Sequence, residues 1–245
     1  MSRYFIEVAY NGSNYSGFQI QQNANSVQAE IEKALTVFFK SSFELTGSSR
    51  TDAGVHALQN FFHFDTELLP KQNALNKIVY NLNAILPDDI VVKSINEVLP
   101  DAHCRFDAKS REYHYFLYAN KDPFISNRAY FFPYTIDINK LNEAADAILN
   151  TTDFTSFSKK NSQVKTFNCR IFKSSWKQQN NQLVYIVNGN RFLRGMVRGL
   201  VGTMLKVGTG KLSIEDFKQI IENKDASKAD FSVPGHGLFL VSVEY

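Results

Sequence analysis

The stretch Gly47-Ser48-Ser49-Arg50-Thr51-Asp52-Ala53-Gly54-Val55-His56 is a polar loop set between two strand candidates. Before it, Phe43 to Thr46 reads as a short strand. After it, Leu58 to Phe64 is an aromatic run of strand character. Gly54 lets the chain take a tight or left-handed turn. A carboxylate on a rigid turn between strands, here Asp52, is placed to project into a cleft. The same aspartate can equally be an Asx-turn residue that only ties the loop together.

Working outward, residues 3–10 alternate and are rich in Tyr, Phe, Ile and Val, which predicts a strand ended by the Asn11-Gly12 turn. Ser26 can cap a helix with Val27, Ile31, Ala34, Leu35 and Phe38 on one face. Leu75, Ile78, Val79 and Leu82 mark a second helix stopped by Pro87, and Ile90 to Val98 is a further strand. The order is strand, helix, strand, strand, helix, strand. It then recurs in outline. Arg111 to Tyr118 is an alternating aromatic strand, and Asp137 opens a helix carrying Ile138, Leu141, Ala145, Ile148 and Leu149. Strands at Phe167 to Lys177 and Leu183 to Val187 follow. A helix then runs from Phe192 to Val207 with Phe192, Met196, Val197, Leu200 and Met204 on it. Ser213 caps another helix, and Leu238 to Tyr245 closes the chain as a strand. Two rounds of a similar unit predict an α+β fold with antiparallel sheets, divided into residues 1–108 and 109–245. Residues 119–134, with Pro123 and Pro133, read as the linking region.

Net charge is only +3, but its distribution is uneven. From Phe154 to Ile214 there is no Asp or Glu, while eleven basic residues fall there: Lys159, Lys160, Lys165, Arg170, Lys173, Lys177, Arg191, Arg194, Arg198, Lys206 and Lys211. The rest of the chain holds sixteen basic against twenty-four acidic residues. That asymmetry is the footprint expected of a polyanionic partner, since phosphate contacts supply much of the affinity for nucleic acid. No apolar run approaches the ~20 residues of a membrane span. Met1-Ser2-Arg3-Tyr4-Phe5 leads directly into strand-like sequence, without a signal-peptide layout. Cys104 and Cys169 lack metal or redox spacing and read as reduced thiols of a cytoplasmic protein.

Arg50-Thr51-Asp52-Ala53-Gly54-Val55-His56 resembles the active-site motif of the TruA-type tRNA pseudouridine synthases. Tyr10-Asn11-Gly12 with Tyr15-Ser16-Gly17-Phe18-Gln19 is similar to that family's N-terminal signature. Further similarities follow in order: Arg105-Phe106 with Arg111-Glu112-Tyr113-His114-Tyr115; Asp153-Phe154-Thr155-Ser156-Phe157; Asn190 to Arg198 with Val201-Gly202; and Pro234 to Leu240 with Val243-Glu244-Tyr245. The resemblance therefore spans the chain.

It implies a pseudouridine synthase fold of two ferredoxin-like halves with an active-site cleft between them. It implies a homodimer acting on tRNA without cofactor or metal. The reaction would convert uridine to pseudouridine at positions 38–40 of the anticodon stem-loop. Asp52 matches the family's nucleophile. Arg198 matches its arginine partner, which would hold Asp52 ionised. Tyr113 matches the tyrosine that packs on the flipped base, and Arg50 the arginine that helps extrude it. Leu238 or Leu240 would wall the pocket. Arg194 departs from the aromatic or His usual at its position and would favour phosphate, while His56 would support the site.

Two other readings are open to the residues themselves: an RNA-binding or chaperone module on the same fold, and a metal-dependent hydrolase built on Asp52, His56, His63 and Asp65. His56 and His63 are seven residues apart, which is not a standard zinc spacing, so no metal is expected.

Overall fold

The computed structural model describes residues 1–69, 75–159 and 164–245. Lys160, one of the eleven basic residues of the acid-free segment, lies outside the described residues. The chain packs as two compact units: Met1–Lys109 with Leu240–Tyr245, and Ser110–Phe239. No helix among the described residues is long and apolar enough to cross a membrane.

In the first unit the strands are β1 (Ser2–Tyr10), β2 (Thr46–Gly47), β3 (His56–Thr66) and β4 (Ile90–Val98). Its helices are α1 (Val27–Phe39) and α2 (Leu75–Ile85). β1 pairs antiparallel with both β3 and β4, and β2 pairs antiparallel with β3. The resulting order 4-1-3-2 is that of the βαββαβ, ferredoxin-like unit. Alternation in β1 buries Ile6 and Val8 on one face. α1 buries Val27, Ile31, Ala34 and Leu35, a set at helical spacing along one face. Ser26 caps α1, its hydroxyl accepting from the Ala29 N–H at 3.3 Å, as expected. β2 is shorter and later than the predicted Phe43–Thr46, because only Thr46 and Gly47 find partners, at His63 and Phe62.

The second unit holds β5 (Ser110–Tyr118), β6 (Tyr130–Phe131), β7 (Ile171–Gln179) and β8 (Gln182–Gly189). Its helices are α3 (Ile138–Ala147), α4 (Met196–Gly208) and α5 (Ile214–Asn223). The terminal strand β9 (Leu238–Glu244) begins here, and its residues from 240 belong to the first unit. β8 lies antiparallel between β5 and β7, so β5-β8-β7 repeats the 1-3-2 arrangement of the first unit. α3 packs on β7 and α4, and α5 on α3 and α4.

Four further differences from expectation each have a local reason. Residues 119–134 are not a linker: Tyr130 and Phe131 pair in parallel with Leu117 and Tyr118 inside the second unit. β7 starts at Ile171, not Phe167, because the Phe167 carbonyl accepts from the Phe154 N–H at 3.1 Å and Asn168 bridges Asp153. α4 starts at Met196, not Phe192, because Gly195 sits at φ +73°, a left-handed conformation that no helix continues. α3 stops at Ala147, which leaves Leu149 exposed and off the apolar face.

The Asp153-Phe154-Thr155-Ser156-Phe157 run acts as a structural clasp. Asp153 Oδ1 accepts from the Thr155 N–H at 3.0 Å and from its hydroxyl at 2.6 Å, while Oδ2 meets Lys224 Nζ at 2.8 Å. Ser156 donates to the Ile220 carbonyl, and Phe157 packs on Phe217. Both contacts dock α5.

Candidate active site

The Asp52 loop is fixed from three sides within the first unit. Val55 N–H donates to the Asp52 carbonyl at 3.2 Å, closing a turn over residues 52–55. Gly54 occupies that turn at φ +74°, as the sequence predicts. The loop after β1 backs it: Phe18 N–H donates to the Thr51 carbonyl at 3.1 Å, and Gly54 N–H to the Tyr15 carbonyl at 3.3 Å. Gly12 N–H donates to Nδ1 of His56 at 3.1 Å. A Cβ on Gly12 would lie 2.0 Å from the Val55 carbonyl oxygen, so only glycine permits this approach. The third side is β3, whose Asn60 binds Ser48 and Ser49 directly.

Within this frame Asp52 is half-buried and Arg50 exposed. His56 is 1% exposed, with Nδ1 engaged as an acceptor, so its ring is placed to brace the loop. Phe18 lies stacked on Phe62 at 4.7 Å, filling the space beside Gly47. Tyr15, the first residue of the Tyr15-Ser16-Gly17-Phe18-Gln19 run, donates to Asp89 at 2.5 Å. Burial and that carboxylate push its hydroxyl pKa up.

In the second unit, Tyr113 on β5 is 7% exposed, and Phe192 meets it edge-on at 5.1 Å between ring centroids. Arg198, in the first turn of α4, is half-buried. Its Nε donates to the Val233 carbonyl at 2.8 Å and its Nη2 to the Phe231 carbonyl at 3.4 Å. Its charge also reaches Tyr115: burial raises the pKa of that phenol, and Arg198 offsets part of the rise. Tyr115 donates to the Pro234 carbonyl at 2.8 Å, which ties β5 to the chain just before Leu238. Leu238 and Leu240 are both buried, and Arg194 is exposed.

Of the basic residues in the acid-free segment, Lys165, Arg170, Lys173, Lys177, Arg194 and Lys211 are exposed. Lys173 and Lys206 have acidic neighbours from outside the segment, Glu112 at 3.7 Å and Asp230 at 3.1 Å. The positive surface is therefore less than the bare count.

Three of the four residues of the hydrolase reading, His56, His63 and Asp65, are otherwise engaged. His56 holds Gly12, and Asp65 takes the Arg3 guanidinium at 2.7 and 2.8 Å. His63 Nδ1 lies 3.2 Å from Cys104 Sγ, and that thiol donates to the Thr46 carbonyl at 3.1 Å. His103 completes a His63–His103–Cys104 cluster, but its Nδ1 accepts from the Arg105 and Phe106 N–H groups. An imidazole whose Nδ1 accepts carries its proton on Nε2, which leaves no lone pair there for a metal.

Sequence reasoning places Tyr10, Gly12 and Thr51 within motifs but gives them no role in the site, and it misses Asn60. One signal was available: Asn60 is a polar residue in an aromatic strand, on the face that also buries Phe62 and Phe64.

A family model described as tRNA pseudouridine synthase matches residues 6–107 and 144–245. A protein from Parabacteroides distasonis named tRNA pseudouridine synthase A is 46% identical over 248 residues, covering 100% of this chain and 96% of that protein. Its namesake from Bacteroides fragilis is also 46% identical, covering 100% of this chain and 97% of its own. The one from Staphylococcus aureus strain JH1 is 39% identical, covering 98% and 90%. These matches define the class of protein as an isomerase. The chain belongs to the tRNA pseudouridine synthase family.

Proposed function

We propose that this chain converts uridine to pseudouridine in the anticodon stem-loop of tRNA, at positions 38–40, with Asp52 as the nucleophile. One observation carries the reading: in a chain of this family, the aspartate of the matching motif stands half-buried on a turn fixed from three sides. The reaction is an isomerisation. The N1–C1′ bond breaks, the uracil turns, C5 bonds to C1′, and the C5 proton is released while N1 gains one. No atom is added from a cofactor.

A paired uridine must leave the stack to be reached, at a cost of a few kcal/mol. An aromatic face on the flipped base returns about 1–3 kcal/mol, and Tyr113, its ring oriented by Phe192, is assigned that role. Arg50 is exposed beside Asp52 and is assigned the extrusion of the base and the filling of the gap. Arg198 is assigned as the cationic partner that orients the Asp52 carboxylate. Leu238 walls the pocket, Arg194 takes a phosphate, and His56 supports the catalytic loop. Residues 1–108 thus carry the aspartate and residues 109–245 the basic RNA-binding segment. The protein works as a homodimer in the cytoplasm.

Pseudouridine mapping in tRNA from a strain lacking the protein tests the substrate. Pseudouridine should vanish at positions 38–40 and return with the wild-type chain. Its persistence there, with loss at other positions, would overturn the assignment.

A further inference from the structure

Asn60 has no exposed surface, although it shares a strand face with Phe62 and Phe64. A buried amide costs free energy unless its hydrogen bonds are met inside the protein. Here they are. Nδ2 donates to the Ser49 carbonyl at 3.0 Å and to the Tyr10 hydroxyl at 3.2 Å. Oδ1 accepts from the Ser48 hydroxyl at 2.8 Å and from the Phe61 N–H at 3.0 Å. The Tyr10 hydroxyl, itself buried, shares a 2.9 Å hydrogen bond with Thr51 Oγ1. Ser48, Ser49 and Thr51 are three of the four residues immediately before Asp52. Replacing both partners of a buried hydrogen bond by apolar groups of the same shape can be nearly neutral for stability. What the amide adds is a unique position for the backbone it binds.

We propose that Asn60 and Tyr10 are positioning residues that fix residues 48–51 so that the Asp52 carboxylate is presented in one orientation. Both act through the loop and not on the uridine. The proposal rests on Asp52 being the nucleophile. A reacting group displaced by 1 Å can lose about a hundredfold in rate, so releasing one hydrogen bond of this network is expected to show in turnover.

The Tyr10–Thr51 bond offers the cleanest test, because Tyr10→Phe and Thr51→Val each remove one hydroxyl with little change of shape. The measurements are kcat by tritium release from C5-labelled tRNA, Kd for the same tRNA, and Tm. Each single variant should lower kcat about tenfold, with Kd within about twofold of wild type. The double variant should fall no further than Tyr10→Phe alone, because Tyr10→Phe already removes the bond that Thr51→Val removes. Thr51→Ser, which keeps the hydroxyl, should recover most of the turnover that Thr51→Val loses. If Tyr10→Phe fails to fold, the Thr51→Val and Thr51→Ser pair decides. Unchanged kcat in the folded variants, a loss confined to Kd, or multiplying losses in the double variant would overturn the proposal. Asp52→Ala separates the two claims. If it retains turnover, the nucleophile assignment fails. If it is inactive while Tyr10→Phe and Thr51→Val turn over normally, only the positioning role fails.

Discussion

The main-chain N–H of Gly12 donates to Nδ1 of His56 across 3.1 Å, joining the turn after the first strand to the last residue of the Asp52 motif. The two residues are 44 apart in sequence, and the contact exists only because Gly12 has no side chain to strike the Val55 carbonyl.

Gly12→Ala should therefore be costly despite adding one carbon. Its Cβ would meet a backbone oxygen that cannot move without shifting the Asp52 turn. Overpacking of this kind costs about 1–3 kcal/mol. Urea denaturation should show that loss, and kcat should fall with it. Wild-type stability and turnover in Gly12→Ala would contradict the close approach.

His56 separates a bracing role from a substrate contact. His56→Leu leaves the Gly12 N–H buried without its acceptor, at about 1–3 kcal/mol. His56→Asn can offer a replacement oxygen and should retain more stability. A brace predicts that kcat and Tm fall together while KM stays level. A rise in KM with kcat unchanged would make His56 a substrate contact instead.

Acid stability should decline in two stages. Burial holds the His63 and His236 imidazoles below their ordinary pKa, so the folded state favours their neutral forms. Their contribution is complete above the unfolded value of about 6.5 and is lost as the pH falls below it. The Asp65 carboxyl is held down by Arg3, and that of Asp153 by Lys224 and Thr155. Their share persists to about pH 4 and disappears below it. Tm measured from pH 8 to 3.5 should fall in that order, and Lys224→Met should flatten the lower stage. A Tm that rises between pH 7.5 and 5.5 would contradict the upper one.

Affinity for tRNA should fall steeply with salt. Lys165, Arg170, Lys177, Arg194 and Lys211 are exposed, and four or more phosphate contacts give a slope of log K against log salt of about −3 or steeper. Lys165→Gln should reduce the slope by at most about 1. A flat dependence would remove the electrostatic argument and leave the catalytic one standing.

Much of the fold is legible in the sequence where a signal is local. Ser26 and Ser213 cap α1 and α5 as their sequence positions require, and the βαββαβ order of the first unit follows from alternating and helical periodicity. What is not legible depends on distant partners. β2 exists only through His63 and Phe62, and the start of α4 depends on the left-handed Gly195. The site divides the same way. Asp52 stands out through a contiguous motif. The Asn60–Tyr10–Thr51 network joins residues 50 and 41 apart, and the chain hints at it only through the polar Asn60 within an aromatic strand.

The most direct measurement is tritium release from C5-labelled tRNA by Asp52→Ala, beside an assay of tRNA binding. The account predicts no release and near wild-type affinity. Release at the wild-type rate would show that Asp52 is not the nucleophile.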